Sequence, residues 1–215
     1  MSKPLIRPAG PADLPGILEL EKQAWGEDSA AMKEMVLSRI MTFPEGNLVA
    51  ILGGEIVGLL CTLLVKNYDL RNTFRTWYEA TDYGQIAGLH DPEGETVYGV
   101  NLSVMPSIRE HNIGRMLVCH GIEHLVVGAN RPMTVLGGRM NGYAKYLSKN
   151  PGTDPGEYLQ LVVDGKTKDP SINFFTGLEF RGINYRAVRV LPDYFEDPES
   201  LDNGVLLVWD NKFLH

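Results

Sequence analysis

The sequence predicts a mixed α/β protein, and two patterns along the chain lead to that prediction. Apolar runs at 47–52 and 56–65, separated by two glycines and a glutamate, are typical of a β-hairpin. A further apolar run at 96–104 leads through a short loop into apolar residues at helical spacing between 113 and 127. Strands that alternate with helices in this way are characteristic of α/β domains.

The other elements are read from the same periodicities. The first helix is predicted from the spacing of Ile17, Leu20, Glu21 and Ala24. The remaining predictions are a first strand at Leu5–Arg7, a second helix at Ala30–Ile40, a short strand at Thr134–Leu136 that ends at Gly137-Gly138, a helical turn at Ser171–Thr176, and closing strands at Phe180–Val190 and Gly204–Trp209. No helix or strand is predicted for residues 141–169, a segment rich in Gly, Pro and Tyr. No repeat or linker interrupts the chain, which is therefore predicted to be a single domain, 1–215.

Composition and charge exclude several functions. The 215 residues carry a formal net charge of −7, whereas nucleic-acid binding needs a basic surface. No apolar run approaches a membrane span, and the N-terminus lacks the apolar stretch of a signal peptide, so we expect no membrane partner and a cytoplasmic location. His120 and His124 have the i, i+4 spacing of a metal pair but no third ligand, and Cys61 and Cys119 form no zinc motif. We therefore expect no metal.

Residues 66–95 interrupt the alternation of strands and helices. The segment is polar and aromatic together, with weak periodicity. It is interpreted either as a surface excursion that packs partly on the core or as a lid over a binding cleft, because loops of this length in compact domains are usually functional.

The loop that follows the 96–104 strand has the features of an anion site. Pro106 forces a turn, and a helix then begins near Gly114, where several backbone N–H groups lack intrahelical partners. Gly114 has no Cβ to block a phosphate group, and Arg109 and Arg115 add charged donors. A strand-to-helix turn with one glycine is also common in proteins that bind no ligand there, and neither a P-loop nor a Rossmann fingerprint is present.

The same residues carry a family resemblance. The segment from Val104 to Gly114 resembles the acyl-CoA signature of the GNAT superfamily of N-acetyltransferases, (Q/R)xxGx(G/A) after a strand that ends in V-x-P. Arg109 and Gly114 match, and Asn112 stands at the usual first Gly, where it is the best non-glycine residue for a left-handed conformation. Residues 172–180 resemble the superfamily's C-terminal I-x-F-Y-x-x-x-G-F. Residues 142–209 are similar to GNAT domains fused to carbon–nitrogen hydrolases and to GNAT-like loading domains of polyketide synthases.

The resemblance implies a GNAT fold, a mixed and mostly antiparallel sheet of about seven strands flanked by helices. It also implies that acetyl-CoA or another acyl-CoA is the substrate. The residues implied to contact the coenzyme are Leu102 and Val104 through their backbone, Arg109, His111, Asn112, Ile113, Gly114 and Arg115 around the pyrophosphate, and Asn173 and Phe174 beside the pantetheine arm.

The catalytic positions of the family are altered in this chain. Asn101 and Ser103 occupy the strand region that often supplies a carboxylate base. Phe175 occupies the position of the usual tyrosine acid, and a phenyl ring cannot donate a proton. Tyr143, Tyr146 and Tyr158 are alternative proton donors. The catalytic candidates are therefore the two strand residues, Asn101 and Ser103, and one of these tyrosines, Tyr146.

Three functions remain open from the sequence. The first is an acyl-CoA-dependent N-acyltransferase that acts on a small-molecule or protein amine. The second is a decarboxylase or acyltransferase that delivers an acyl group to the thiol of a carrier protein, and the third is a non-catalytic acyl-CoA-binding module. A homodimer is retained as a further association.

Overall fold

The computed structural model describes residues 3–71 and 74–215, and the side chains of Arg109 and Glu110 lie outside that description. Its strands are β1 (Leu5–Pro8), β2 (Asn47–Leu52), β3 (Glu55–Val65), β4 (Thr96–Val104), β5 (Met133–Arg139), β6 (Glu179–Phe180), β7 (Ile183–Asn184), β8 (Arg186–Leu191) and β9 (Gly204–Asp210). Its α-helices are α1 (Leu14–Trp25), α2 (Lys33–Thr42), α3 (Trp77–Thr81), α4 (Ile113–Gly121), α5 (Tyr143–Leu147), α6 (Pro155–Val163) and α7 (Pro170–Thr176). A π-helical turn, Ile122–Val127, continues α4.

The chain forms two compact units. The first unit contains Met1–Tyr68, Thr81–Pro132 and Asn211–His215, and the second contains Asp69–Ala80 and Met133–Asp210. The first unit carries the strands in the order β1-β2-β3-β4, and the second carries β5-β9-β8 together with the separate β6-β7 hairpin. Within each unit the paired strands are antiparallel. The predicted mixed α/β class with seven mostly antiparallel sheet strands and flanking helices is confirmed.

Helices cover both faces of the sheet in the first unit. Residues that alternate along a strand point to opposite faces, so Val49 and Leu59 face one way while Leu48 and Leu60 face the other. The first pair packs in one buried cluster with residues of α1 and α2. The second pair packs in another with Ile113 and Leu117 of α4. This arrangement places α1 over one face of β3 and α4 over the opposite face.

The second unit packs its helices on a three-stranded sheet. Helix α6 contacts β8, and α7 contacts both β5 and β8. Asp169, which is fully buried, caps α7 by accepting hydrogen bonds from the backbone N–H groups of Ser171 and Ile172, each at 3.0 Å. It also accepts a hydrogen bond at 3.0 Å from the hydroxyl of Tyr158 on α6, so one carboxylate ties the two helices together.

Several predicted boundaries are wrong. Strand β5 continues through Gly137 and Gly138 as far as Arg139, and α2 lies a few residues later than predicted. The predicted strand at Phe180–Val190 is divided by a turn at Arg181 and Gly182, which both have positive φ (51° and 79°). Residues 141–169 contain α5 and α6. The Gly and Pro content hid α6, although Pro at its first position and an Asp154 cap are standard helix-start signals.

Candidate active site

A buried carboxylate lies beside the two strand residues named as catalytic candidates. Glu21 of α1 is 2% exposed and accepts a 2.5 Å hydrogen bond from the hydroxyl of Ser103. The amide nitrogen of Asn101 donates to both carboxylate oxygens of Glu21 at 3.0 Å. The indole N–H of Trp25, one turn further along α1, donates to the Ser103 hydroxyl oxygen at 2.8 Å. We call Glu21, Trp25, Asn101 and Ser103 the α1–β4 cluster.

Strand register explains why these side chains meet. Asn101 and Ser103 are two residues apart and therefore share one face of β4. They lie opposite Cys61 and Leu59 of β3, and Leu59 belongs to the core cluster that α1 covers. A register shift at Val100 inserts an extra residue into β4 directly before Asn101, as in a β-bulge. Bulges re-aim side chains, and they occur often beside active sites.

Sequence reasoning missed Glu21, although one signal was available. The residue falls on the face of α1 that also carries Ile17 and Leu20, both of which are fully buried. A carboxylate at a core-facing position must find hydrogen-bond donors, because an unpaired buried charge is costly. A glutamate at this spacing therefore indicates buried polar partners elsewhere in the chain, which are Asn101 and Ser103.

The two cysteines lack the properties of a nucleophile. Cys61 is fully buried, and burial raises the pKa of its thiol to about 12, with Arg39 lowering the pKa and Glu21 raising it. Cys119 on α4 is half-buried, and burial raises the pKa of its thiol as well. Neither thiol has the lowered pKa that a nucleophilic cysteine needs.

The loop after β4 has the backbone conformation that the sequence predicts. A 3₁₀ segment, Pro106–His111, leads to Asn112, which is left-handed with φ 57° and ψ 25° and is the N-cap residue of α4. The first N–H groups of α4, from Ile113 onward, have no carbonyl four residues earlier in the helix to bind. The positive end of the helix dipole lies at the same place, so the loop can accept an anionic group.

Close packing holds the start of α4 against the sheet. A Cβ at Gly58 of β3 would come within 2.6 Å of a methyl group of Ile113 and 2.8 Å of one of Leu117. The glycine therefore lets α4 approach the strand closely. Ile113 is fully buried and Gly114 is buried, whereas Arg115, His111 and Asn112 are exposed. The exposed residues at this helix start are the ones that a ligand would meet.

The remaining candidates of the first unit are placed as follows. Leu102 and Val104 are half-buried on the α4 side of β4 and pack against the core cluster there. The backbone of Arg109 lies in the 3₁₀ segment, but its side chain lies outside the described part of the chain.

His120 and His124 lie with their rings 4.2 Å apart, and burial, followed by the charge of His124, lowers the pKa of His120. Among the described residues no group of three or more His, Cys, Asp or Glu could hold a metal.

The second unit contains the other candidates. Tyr146 of α5 packs half-buried against Tyr158, with ring centroids 5.2 Å apart. The side-chain oxygen of Asn173 accepts a 2.8 Å hydrogen bond from the backbone N–H of Asp169, and Phe174 is 38% exposed. Phe175 packs edge-on against Tyr185, with ring centroids 5.4 Å apart, so the residue at the usual acid position is part of an aromatic contact.

The alternative tyrosine donors differ in their surroundings. Burial raises the pKa of the Tyr158 hydroxyl, and Asp169, which accepts its hydrogen bond, raises it further. Tyr143 is buried and donates to the backbone carbonyl of Thr153 at 2.8 Å. Both hydroxyls therefore have structural partners within the second unit.

Comparison with known proteins gives the family. No protein-family model matches the chain. It is 35% identical over 189 residues to the uncharacterized N-acetyltransferase YkwB of Bacillus subtilis (strain 168), covering 88% of this chain and 76% of that protein. It is 30% identical over 211 residues to the probable hydrolase YhcX of the same organism, but those residues are 97% of this chain and only 39% of that protein.

A solved structure agrees with this result. The GphF GNAT-like decarboxylase in complex with isobutyryl-CoA matches with a TM-score of 0.74 and 26% identity, over 96% of this chain and 98% of that one. The chain belongs to the GNAT superfamily of CoA-dependent acyltransferases, and the predicted GNAT fold is confirmed.

No described helix is long and apolar enough to cross a membrane. The cytoplasmic location and the homodimer stay predictions.

Proposed function

We propose that this protein is an acyl-CoA-dependent N-acyltransferase that uses acetyl-CoA or a close analogue and acts on an amine. The observation that carries the proposal is the β4–loop–α4 segment, in which a left-handed Asn112 is the N-cap of α4. The first N–H groups of such a helix have no partner within the helix. The 35% identity to an N-acetyltransferase supports the same conclusion.

Coenzyme binding would use the backbone of this segment. In the proposal the N–H groups from His111 to Arg115 bind the pyrophosphate, and the exposed guanidinium of Arg115 adds a charge-assisted contact. Arg109 belongs to the same site. The backbone of Leu102 and Val104 binds the pantetheine and polarises the thioester carbonyl. Asn173 and Phe174 lie beside the pantetheine arm of the bound coenzyme.

The reaction would be direct attack by a neutral amine on the thioester carbon. The C–N bond forms, the amine nitrogen releases one proton to water, the C–S bond breaks, and CoA leaves as a thiolate. Phe175 cannot protonate that thiolate, so Tyr146 is the proposed proton donor, and residues 66–95 are the proposed cover of the acceptor. Proximity of the bound reactants supplies much of the barrier reduction in such a transfer.

The left-handed residue provides a test of the coenzyme site. Acetyl-CoA at 100 times its Kd should stabilise the protein by about 2.7 kcal/mol, which raises the unfolding temperature by roughly 5–10 °C for a chain of this size. We expect Asn112→Gly to keep that shift and Asn112→Val to lose it, because a β-branched residue disfavours positive φ. A wild-type protein with no shift for acetyl-, malonyl- or isobutyryl-CoA would contradict the proposal.

A second candidate function is transfer of an acyl group to the thiol of a carrier protein, with or without decarboxylation. The match to the GNAT-like decarboxylase over nearly the full length of both chains favours it. Incubation with malonyl-CoA and a phosphopantetheinylated carrier protein distinguishes the two by mass spectrometry. A carrier that gains an acetyl or malonyl mass supports this candidate, whereas CoA release with amines alone supports the first. Binding of acyl-CoA without either product would indicate a non-catalytic module.

A further inference from the structure

One atom of the α1–β4 cluster is available to accept a hydrogen bond from a ligand. A carboxylate accepts hydrogen bonds but cannot donate them, so Glu21 fixes the amide of Asn101 with its nitrogen toward the carboxylate. The carbonyl oxygen of Asn101 lies 3.4 Å from the Ser103 hydroxyl, whose single hydrogen is already donated to Glu21 at 2.5 Å. That carbonyl oxygen is therefore the atom that remains to bind a ligand, and an oxygen of this kind recognises an N–H group.

Burial separates the residues that a ligand can reach from those that it cannot. Glu21 is 2% exposed and Ser103 is 1% exposed, whereas Asn101 is half-buried. A ligand would therefore contact Asn101, and Glu21 would act through it. The negative charge of Glu21 lies one hydrogen bond behind the amide. In a buried site such a charge polarises the amide and stabilises positive charge that forms in front of it.

The charge requirement of the proposed reaction agrees with this arrangement. When an amine nitrogen bonds to the thioester carbon, that nitrogen becomes positively charged until it loses a proton. Strand β4 itself offers Asn101 and Ser103 on this face and has no carboxylate between Thr96 and Val104. Helix α1 brings a carboxylate to the same two side chains from 80 and 82 residues away.

We infer that Glu21 is a positioning residue for the acceptor, which orients Asn101 so that its carbonyl oxygen accepts a hydrogen bond from the incoming primary amine. Asn101 contacts the amine in this arrangement, and Ser103 holds the carboxylate in place with Trp25 as its own donor. The inference rests on the proposed N-acyltransferase function. It adds that Glu21, acting through Asn101, positions the acceptor amine.

The test compares Glu21→Gln with Glu19→Gln. Glu19 lies two residues earlier on α1 and is exposed, so this control removes the same charge without reaching the cluster. CoA release from acetyl-CoA is measured with three primary amines: spermidine, free lysine and an alanine-terminated tetrapeptide. We expect Glu21→Gln to lower kcat/KM for the best amine at least about tenfold, as loss of a charged hydrogen-bond partner does. The KM for acetyl-CoA should stay within about twofold, and Glu19→Gln should match the wild type.

A charge swap tests whether the carboxylate matters beyond packing. The double variant Glu21→Gln/Asn101→Asp exchanges the carboxylate and the amide and keeps one of each. We expect it to recover at least half of the lost kcat/KM on a logarithmic scale, because the substituted β4 side chain then offers a carboxylate directly to the amine. Asn101→Asp alone places two carboxylates together, so we expect its kcat/KM for the amine to stay below that of the double variant.

The outcomes separate this inference from the proposed function. If the wild type releases no CoA with any of the three amines, the proposed function fails and the inference fails with it, whether or not acetyl-CoA stabilises the protein. If the wild type is active and Glu21→Gln equals Glu19→Gln in amine kcat/KM, the inference alone is overturned. Should Glu21→Gln fail to fold, the half-buried Asn101→Ala replaces it, and unchanged amine kcat/KM in that variant overturns the inference.

Discussion

The guanidinium group of Arg139 and the carboxylate of Asp197 form a two-point ion pair in the second unit. Nε donates to Oδ2 at 2.8 Å and Nη2 donates to Oδ1 at 2.7 Å. The Asp197 side chain is 6% exposed and the Arg139 side chain 29% exposed, and the hydroxyl of Ser200 also donates to the carboxylate. The acidic residues 196–199 have the composition of a solvated turn, but the carboxylate of Asp197 is buried against Arg139 of β5.

Removing one partner of this pair should destabilise the protein. Arg139→Met leaves a buried carboxylate without its charged donor, and we expect a loss of about 2 kcal/mol because Arg139 is partly exposed. The unfolding temperature should fall by roughly 4–8 °C for a chain of this size. Arg186→Met, which removes an exposed partner of Asp210, is the control and should cost at most about 1 kcal/mol. Equal effects of the two substitutions would contradict the prediction.

The same pair predicts a dependence of stability on acid. Burial raises the pKa of Asp197, but the hydrogen bonds from Arg139 and Ser200 and the charge of Arg139 more than offset it, so the pKa lies below its usual value. A carboxyl with a lowered folded-state pKa stabilises the protein above its unfolded pKa of about 3.9 and loses that contribution as pH falls through the folded value.

We therefore expect the stability difference between the wild type and Asp197→Asn to be largest at neutral pH and to shrink below about pH 4. Urea unfolding at a series of pH values from neutral down to acid measures it. The difference for Asp210→Asn, in the exposed pair, should stay small throughout. A difference for Asp197→Asn that grows as the solution is acidified would have the wrong sign.

A larger residue at Gly137 should destabilise the protein. A Cβ at this position of β5 would overlap the ring of Tyr194, which is 1% exposed. We expect Gly137→Ala to cost about 1–3 kcal/mol by overpacking, measured by urea unfolding. The same substitution should cost much less in a Tyr194→Leu background. Gly10→Ala, where the nearest atom lies 4.0 Å from the new Cβ, is the control.

The two cysteines should differ in reactivity although both are free. Cys61 is fully buried with a thiol pKa raised to about 12, and Cys119 is half-buried. Iodoacetamide at mildly alkaline pH should modify Cys119 at least about tenfold faster than Cys61, because thiolate fraction and access both favour it. Peptide mass spectrometry of native protein gives the two rates, and labelling in concentrated guanidinium chloride should make them similar. Faster native labelling of Cys61 would contradict its position in the core.

The sequence predicted much of the fold because local patterns encode it. The hairpin of β2 and β3, the bounds of β4 and the helical range that starts at Ile113 all follow from apolar periodicity and turn residues. The left-handed conformation of Asn112 follows from the family signature and from the tolerance of Asn for positive φ. Boundaries failed where packing overrides composition, as at Gly137, whose missing Cβ makes room for Tyr194 within a continuing strand.

The sequence by itself determined the α/β class, the position of the loop that we propose binds the coenzyme, and the absence of a carboxylate on β4. Only the tertiary structure decided that Glu21 meets Ser103 and that Arg139 meets Asp197, pairs separated by 82 and 58 residues. Periodicity states which face of an element is buried, but the strand register and the docking of each helix decide which polar side chains come into contact there. For this reason the candidate site could be located on the chain from its sequence, whereas the residue that completes it could not.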